Sequence, residues 1–415
     1  PDFDPEHLFD ALTEDTDFAH IPQISYLKAN KSNQGWLNPG EMDPEAEMKK
    51  WSERFPAESV GNQNPVFIWG FILWFLGPLG FPWLYFIFPN LWDRGWAISR
   101  LAGVLLLSFM AWWPSALGWI SFDRSVIFSS MLFGSFSALI YGLHFEVLQK
   151  WFRRKWKLIL WEEGILWMVF GAFLFLRYLQ PDLWHPWAGG EKPMDFAYLN
   201  ATVNTAFFPP QNPWLSGAFI NYYYYGFVLF ASLILLTGIS PDIAYNLALP
   251  SCALFISGGA ITLSSAFFPW FRSRKGWTGW KVSSLWTAGV VLFSGNLAQI
   301  REFLRPGNLS FFQQYWNASR AIQVPEGAVQ PITEFPLFSL LYGDLHAHLI
   351  ALPVAMLCLI SSWQLLRHFH PARIFVSGIL LGTVWVINTW DFPIQALIFL
   401  FCLFCAPLPS TGKIL

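Results

Sequence analysis

The chain is 415 residues long, with 54% apolar residues, 13% charged residues and a formal net charge of −2. A soluble domain carries roughly twice that charged fraction, so water cannot be its only solvent. A surface this short of cations also excludes a nucleic-acid partner, whose phosphates need Lys and Arg.

Residues 1–63 hold thirteen acidic and five basic side chains. They read as a separate, acidic, solvated segment with a short helix from Asp43 to Arg54 and no part in the chemistry. From Val66 onward apolar stretches of about 17 to 25 residues recur, the length that crosses ~30 Å of hydrocarbon. They are 66–89, 97–120, 126–148, 161–179, 222–238, 243–268, 283–299, 347–366, 374–389 and 392–407. The expected fold is all-α: a polytopic integral membrane protein with about nine or ten transmembrane helices over 64–415. The 25 tryptophans suit such a chain, since the indole favours the headgroup level. Cys402 and Cys405 are spaced like a redox pair, but burial in an apolar helix makes thiols inert, so they read as packing residues. The chain reads as part of something longer.

Orientation follows from Lys and Arg asymmetry. The run Lys150, Arg153, Arg154, Lys155 and Lys157 places loop 149–158 in the cytoplasm. Loops 180–221 and 300–346 mix acids with aromatics and are expected outside. The basic stretch Arg272, Arg274, Lys275 and Lys281 breaks strict alternation: either another span is misread, or 283–299 is re-entrant or half-spanning, and the latter leaves both long loops on one face.

Loop 180–221 carries Asp182, His185, Glu191, Lys192 and Asp195 directly after a span. Met194 to Val203 is expected to form a short helix along the membrane surface, with Asp195 near its N-terminus. There the carboxylate either caps the helix or serves a site. Tyr222 to Tyr225 nearly encircle one helical turn. They read as an interfacial belt, with Tyr222 and Tyr223 as candidate donors to a phosphate or sugar. Glu334 to His348 is the densest polar stretch. Its Asp344, His346 and His348 alternate and, if extended, face one side, as metal ligands or donors to an anionic substrate; structural capping is the other reading. Asp391, at a helix boundary, either caps or joins the same site.

These motifs together resemble the YYY membrane protein family, a DUF2298-like domain. The residues that carry the resemblance are Pro181 to Trp187 with Gly190 to Asn200, Asn221 to Gly226, Glu334 to Pro336 with Gly343 to His348, and Asn388 to Pro393. They match the N-terminal part of a longer family member, from about residue 66 onward. The family is distantly similar to the GT-C glycosyltransferases, which implies a GT-C-like architecture in a prokaryotic cell membrane and a polyprenyl-phosphate sugar donor. It also implies a carboxylate in the first large external loop that acts at the acceptor, here Asp195 or Glu191. His346, His348, Lys192 or a divalent metal ion would stabilise the departing phosphate. The rival readings are a non-catalytic lipid- or solute-binding protein, a transporter, or a scaffold subunit. A transporter needs ionisable residues at mid-span, and Glu146, Glu162, Glu163 and Arg177 are all expected near span ends.

Overall fold

The computed structural model describes residues 51–141, 145–183, 190–215, 217–221, 223–267, 269–304, 310–322, 324–325, 330–367 and 369–407. Among these residues every regular element is helical, and one isolated bridge, Gln211 with Phe219, joins extended backbone. After a single helical turn at Val60–Gln63, the helices in chain order are α1 (Pro65–Ile87), α2 (Ser99–Ala116), α3 (Arg124–Tyr141), α4 (Phe145–Leu179), α5 (Lys192–Asn204), α6 (Tyr224–Thr237) and α7 (Pro241–Phe267). There follow α8 (Pro269–Phe293), α9 (Leu297–Leu304), α10 (Phe311–Ala318), α11 (Pro336–Tyr342), α12 (Ala347–Leu365), α13 (Pro371–Ile387) and α14 (Phe392–Phe404). Four of them, α1, α4, α7 and α12, are long and apolar enough to cross a membrane. Shorter apolar helices lie in α3, α6, α13 and α14. A chain without water around it must satisfy its backbone within each segment, which is why the apolar runs become helices.

The bundle has two ends with different chemistry. At one end the two long connections meet: the Leu345 amide donates to Tyr245 Oη at 3.0 Å, Arg177 Nε to Asn246 Oδ1 at 2.9 Å, and the Ser240 amide to Asn62 Oδ1 at 2.8 Å. At the other end Arg373 Nε reaches the Ile87 carbonyl at 3.0 Å, and Arg94, Lys155 and Arg367 surround one cavity. We call these the loop end and the basic end. The helices pack by close backbone approach. A Cβ on Gly80 would collide with the Ser99 carbonyl, one on Gly103 with the Leu76 carbonyl, and one on Gly258 with the Ala97 carbonyl.

Three expectations change. The basic run 150–157 is not a loop but the early turns of α4, a continuous helix of 35 residues. At 1.5 Å per residue it is about 52 Å long, so it extends well beyond ~30 Å of hydrocarbon. Glu162 and Glu163 sit halfway along this helix, with Glu163 paired to Arg100 in the first turn of α2 and so toward the basic end. The segment 283–299 is not one element: residues 283–293 end α8, which is kinked at Gly276, and Leu297 begins α9. α8 begins at the basic end, directly after α7, and reaches the loop end, where Phe173 stacks on Phe293 and Asn296 Nδ2 donates to the Ala318 carbonyl at 2.7 Å.

The third change explains the second. α6 starts and finishes at the loop end. Its N-cap, Tyr223, lies beside His346 with ring centroids 6.0 Å apart. Its last turn lies against Gly61, just before α1, and Gly238 faces Arg124 at the start of α3. The chain then enters α7 at the same end, through Tyr245 and Asn246. Nearly every side chain of α6 is buried, because it lies across the tops of its neighbours with no lipid-facing side. An all-round apolar helix of 14 residues is short for a span and right for a core. Removing this one crossing places the start of α8 at the basic end, with Lys281 Nζ 5.5 Å from the centre of the Trp161 ring of α4. Residues 51–63, the described part of the acidic segment, pack on this arrangement, with Phe55 buried and Arg54 bonded to Asn204 Oδ1 and the Val203 carbonyl.

The parity has a direct check. In a Cys405→Ser background, Asp242→Cys and Trp214→Cys should react with a membrane-impermeant maleimide from one side, and Arg367→Cys from the other. Labelling of Asp242→Cys from the Arg367 side would make α6 a crossing helix.

Candidate functional site

The site is built where helices begin at the loop end. Arg177, in the last turn of α4, holds Asn246 and also donates to the Asp182 carbonyl at 3.1 Å, while Asn246 Nδ2 donates to the Pro181 carbonyl at 3.1 Å. The chain leaving α4 is thereby tied to the first turns of α7. Lys192, at the start of α5, is buried, with Nζ 2.9 Å from Asp182 Oδ2 and 5.6 Å from the centre of the Tyr342 ring. Gly190 joins the two long connections. Its φ of +59° is a left-handed conformation, and an added Cβ would collide with Tyr342 and lie 2.9 Å from Asp344 Oδ2. Only glycine combines that backbone with that approach. One residue on, the Glu191 amide donates to Asp344 Oδ2 at 3.4 Å.

At the centre stands Asp195. It is fully buried, and neither carboxylate oxygen has a hydrogen-bond partner. It does not cap α5; it lies in the first turn, where the helix dipole favours a negative group. Its nearest cation is His346, with Nδ1 at 3.8 Å, and the same nitrogen is 2.8 Å from Glu191 Oε2. Glu191 is half exposed, so the order from outside inward is Glu191, His346, Asp195. Burial pushes the Asp195 carboxyl up to about 7, eased by His346. Burial likewise lifts Asp344 to about 6, eased by the Glu191 amide. For His346 burial acts downward, but Asp195 and Glu191 outweigh it and raise the imidazole to about 10. His346 therefore carries its proton at neutral pH.

The alternating triad is resolved by a change of backbone. Residues 344–346 are irregular and end at His346 in an extended conformation, and His348 lies in the first turn of α12. The two imidazoles face each other with centroids 5.2 Å apart. The expected partner Asp344 is not part of their group; Glu334 is. His348 Nδ1 is 2.9 Å from Glu334 Oε2, and its Nε2 is 2.8 Å from Ser339 Oγ. Burial acts upward on Glu334, but the hydrogen bond and charge of His348 hold it below the usual carboxylate range. Glu334, His346 and His348 each offer a donor atom within 4.8 Å of the others, a two-imidazole, one-carboxylate set that suits a divalent transition metal. Asp391 accepts from Asn388 Nδ2 at 3.0 Å and makes no side-chain cap; burial raises it, and it lies within reach of the charge of His348. His185 and Tyr222 lie outside the described residues.

So Glu191, Lys192, Asp195, Tyr223, Asp344, His346 and His348, with Asp182 behind Lys192, come together from separate stretches. Missing from the expected set were Glu334, Ser339, Arg177 and Tyr245. Glu334 stood within a motif already marked as polar. Arg177 had one available signal, a lone cation at the end of an apolar run; nothing in the local sequence marks Ser339 or Tyr245.

The sequence model of a family described as uncharacterized membrane protein (DUF2298) matches residues 106–414. Neither a curated protein nor a solved structure matches the chain significantly.

Two measurements test this geometry. Gly190→Ala should cost about 1–3 kcal/mol through strain and collision, read as a lower melting temperature in detergent. Gly217→Ala, at φ +74° with nothing within 4 Å, should cost less. Titration with Mn²⁺ or Zn²⁺ should show one site that weakens at least about tenfold in His348→Ala; equal binding by both proteins would remove the metal reading.

Proposed function

The chain belongs to the DUF2298 family of membrane proteins, and for this member we propose transfer of a sugar from a polyprenyl-phosphate carrier to a hydroxyl acceptor at the loop end. The observation that carries the reading is the meeting of Glu191, His346 and Asp195 directly after a long apolar helix, where a lipid-linked donor would present its phosphate.

The division of labour follows from exposure. Asp195 has a pKa near the value at which a base works best, yet no surface on which an acceptor could rest. Glu191 is the carboxylate that an acceptor meets. In this reaction the acceptor hydroxyl gives its proton to Glu191, its oxygen bonds to the anomeric carbon, and the bond from that carbon to the carrier phosphate breaks. Negative charge grows on the departing phosphate, and a fixed cation in a partly dry site lowers the energy of that state. The imidazolium of His346 supplies it, and Asp195 behind the ring keeps the imidazole protonated and oriented. Glu334, His346 and His348 would hold a divalent ion, which when bound supplies the positive charge that the imidazolium otherwise brings. The membrane lipid and the carrier sugar are the partners this reading requires.

A non-catalytic transporter has one observation in its favour. Arg100, in the first turn of α2, pairs with Glu163 of α4, and the neighbouring Glu162 is fully buried. Mid-helix charge of this kind is by default functional. The two readings predict different things of the loop end.

In membranes supplied with a polyprenyl-phosphate sugar, Glu191→Gln should reduce turnover about 10²–10⁴-fold, the usual loss for a general base. Asp195→Asn should keep the fold, lower turnover and shift its pH profile to lower pH, because His346 then loses its proton more readily. Normal turnover in both variants would leave the carboxylates architectural. Loss of solute uptake in Glu162→Gln, with no sugar transfer in the wild type, would favour transport.

A further inference from the structure

The basic end holds a cavity that the reaction at the loop end does not use. Its volume is about 460 Å³, within the range of small-ligand sites. It lies between the chain after α1, the early turns of α4, the end of α7 and the end of α12. The charged side chains on its wall are Arg94, Lys155 and Arg367, with no acid among them. Asp93 and Glu162 are fully buried nearby but do not line it, and the Asp93 carboxylate accepts from Thr262 at 2.9 Å and Ser265 at 3.3 Å.

Two details indicate a built site rather than a gap between helices. Arg94 has φ +54° and is followed by Gly95 at +84°. A non-glycine residue held in that region costs energy, and such strain gathers at ligand sites. Lys155 is fixed over the Trp92 ring, its Nζ 3.5 Å from the centroid. The wall also contains Gln364, only 2% exposed, whose amide oxygen has no partner. Three cations match a phosphate, and an unmatched acceptor matches a hydroxyl.

We propose that this cavity binds a hydroxyl-bearing phosphate ester, as in the headgroup of phosphatidylglycerol. The other basic residues of this end, in α4 and the first half of α8, favour the leaflet richest in anionic lipid, where basic pockets between helices take up headgroups. The proposal is independent of the reaction at the loop end.

The test uses the full chain released from nanodiscs that contain phosphatidylglycerol and phosphatidylcholine in equal amounts, read by native mass spectrometry. The wild type should retain phosphatidylglycerol selectively. The Arg94→Gln, Arg367→Gln double variant should hold it roughly 30-fold more weakly, the factor for two interfacial charges. If that protein melts early, Arg367→Gln alone serves, since Arg367 is exposed. In a second set of nanodiscs, with phosphatidic acid in place of phosphatidylcholine, the wild type should prefer phosphatidylglycerol and Gln364→Leu should lose that preference, because phosphatidic acid lacks the glycerol hydroxyls; no preference in the wild type would overturn the hydroxyl part of the proposal. Displacement by millimolar glycerol phosphate would assign the site to the soluble ester, and its failure to displace would assign it to the lipid. Equal retention of phosphatidylcholine, or full retention in the charge variants, would overturn the proposal.

Discussion

The placement of α6 decides the parity of every helix after it. A helix that begins and finishes at one end of the bundle reverses the direction of all that follow. α7 therefore runs away from the loop end, α8 returns to it, and α12 starts beside α5. His346 can meet Glu191 and Asp195 only because of that count. The physical cause is modest: 14 apolar residues are too few to cross comfortably, and the neighbouring helices leave room to bury them on all sides.

The site that results is an electrostatic compromise. A fully buried carboxylate without hydrogen bonds is costly, and Asp195 is tolerated because a protonated imidazole stands 3.8 Å away. His346 in turn holds its proton because two carboxylates flank it. The second pair, His348 with Glu334, repeats the pattern a few ångströms off and is satisfied by Ser339 as well. One pair is complete and the other carries an excess of negative charge.

Much of this was legible in the sequence. The apolar runs at 66–89, 97–120 and 347–366 became α1, α2 and α12 with small shifts at their ends, because hydropathy reports directly on the solvent. The acid and aromatic character of 180–221 and 300–346 foretold that they share an end. What hydropathy does not report is direction. Residues 222–238 and 283–299 look equally apolar, and only tertiary burial separates a core helix from a crossing one. Charge was the better guide, since the cations at 272–281 already contradicted the simple count. Glu334 was missed as the companion of the two histidines because it reaches His348 across the short helix α11, a spacing that no linear pattern displays.

α6 also bears on how the chain is made. As it emerges from the ribosome, Tyr224–Thr237 is apolar enough to be offered to the insertion machinery as a crossing segment. The cations at 272–281 emerge only some forty residues later, and positive charge arriving downstream can reverse an orientation already begun. The native topology then depends on the timing of synthesis as well as on final energy. Neutralising those cations would yield molecules whose first half is normal and whose second half is inverted.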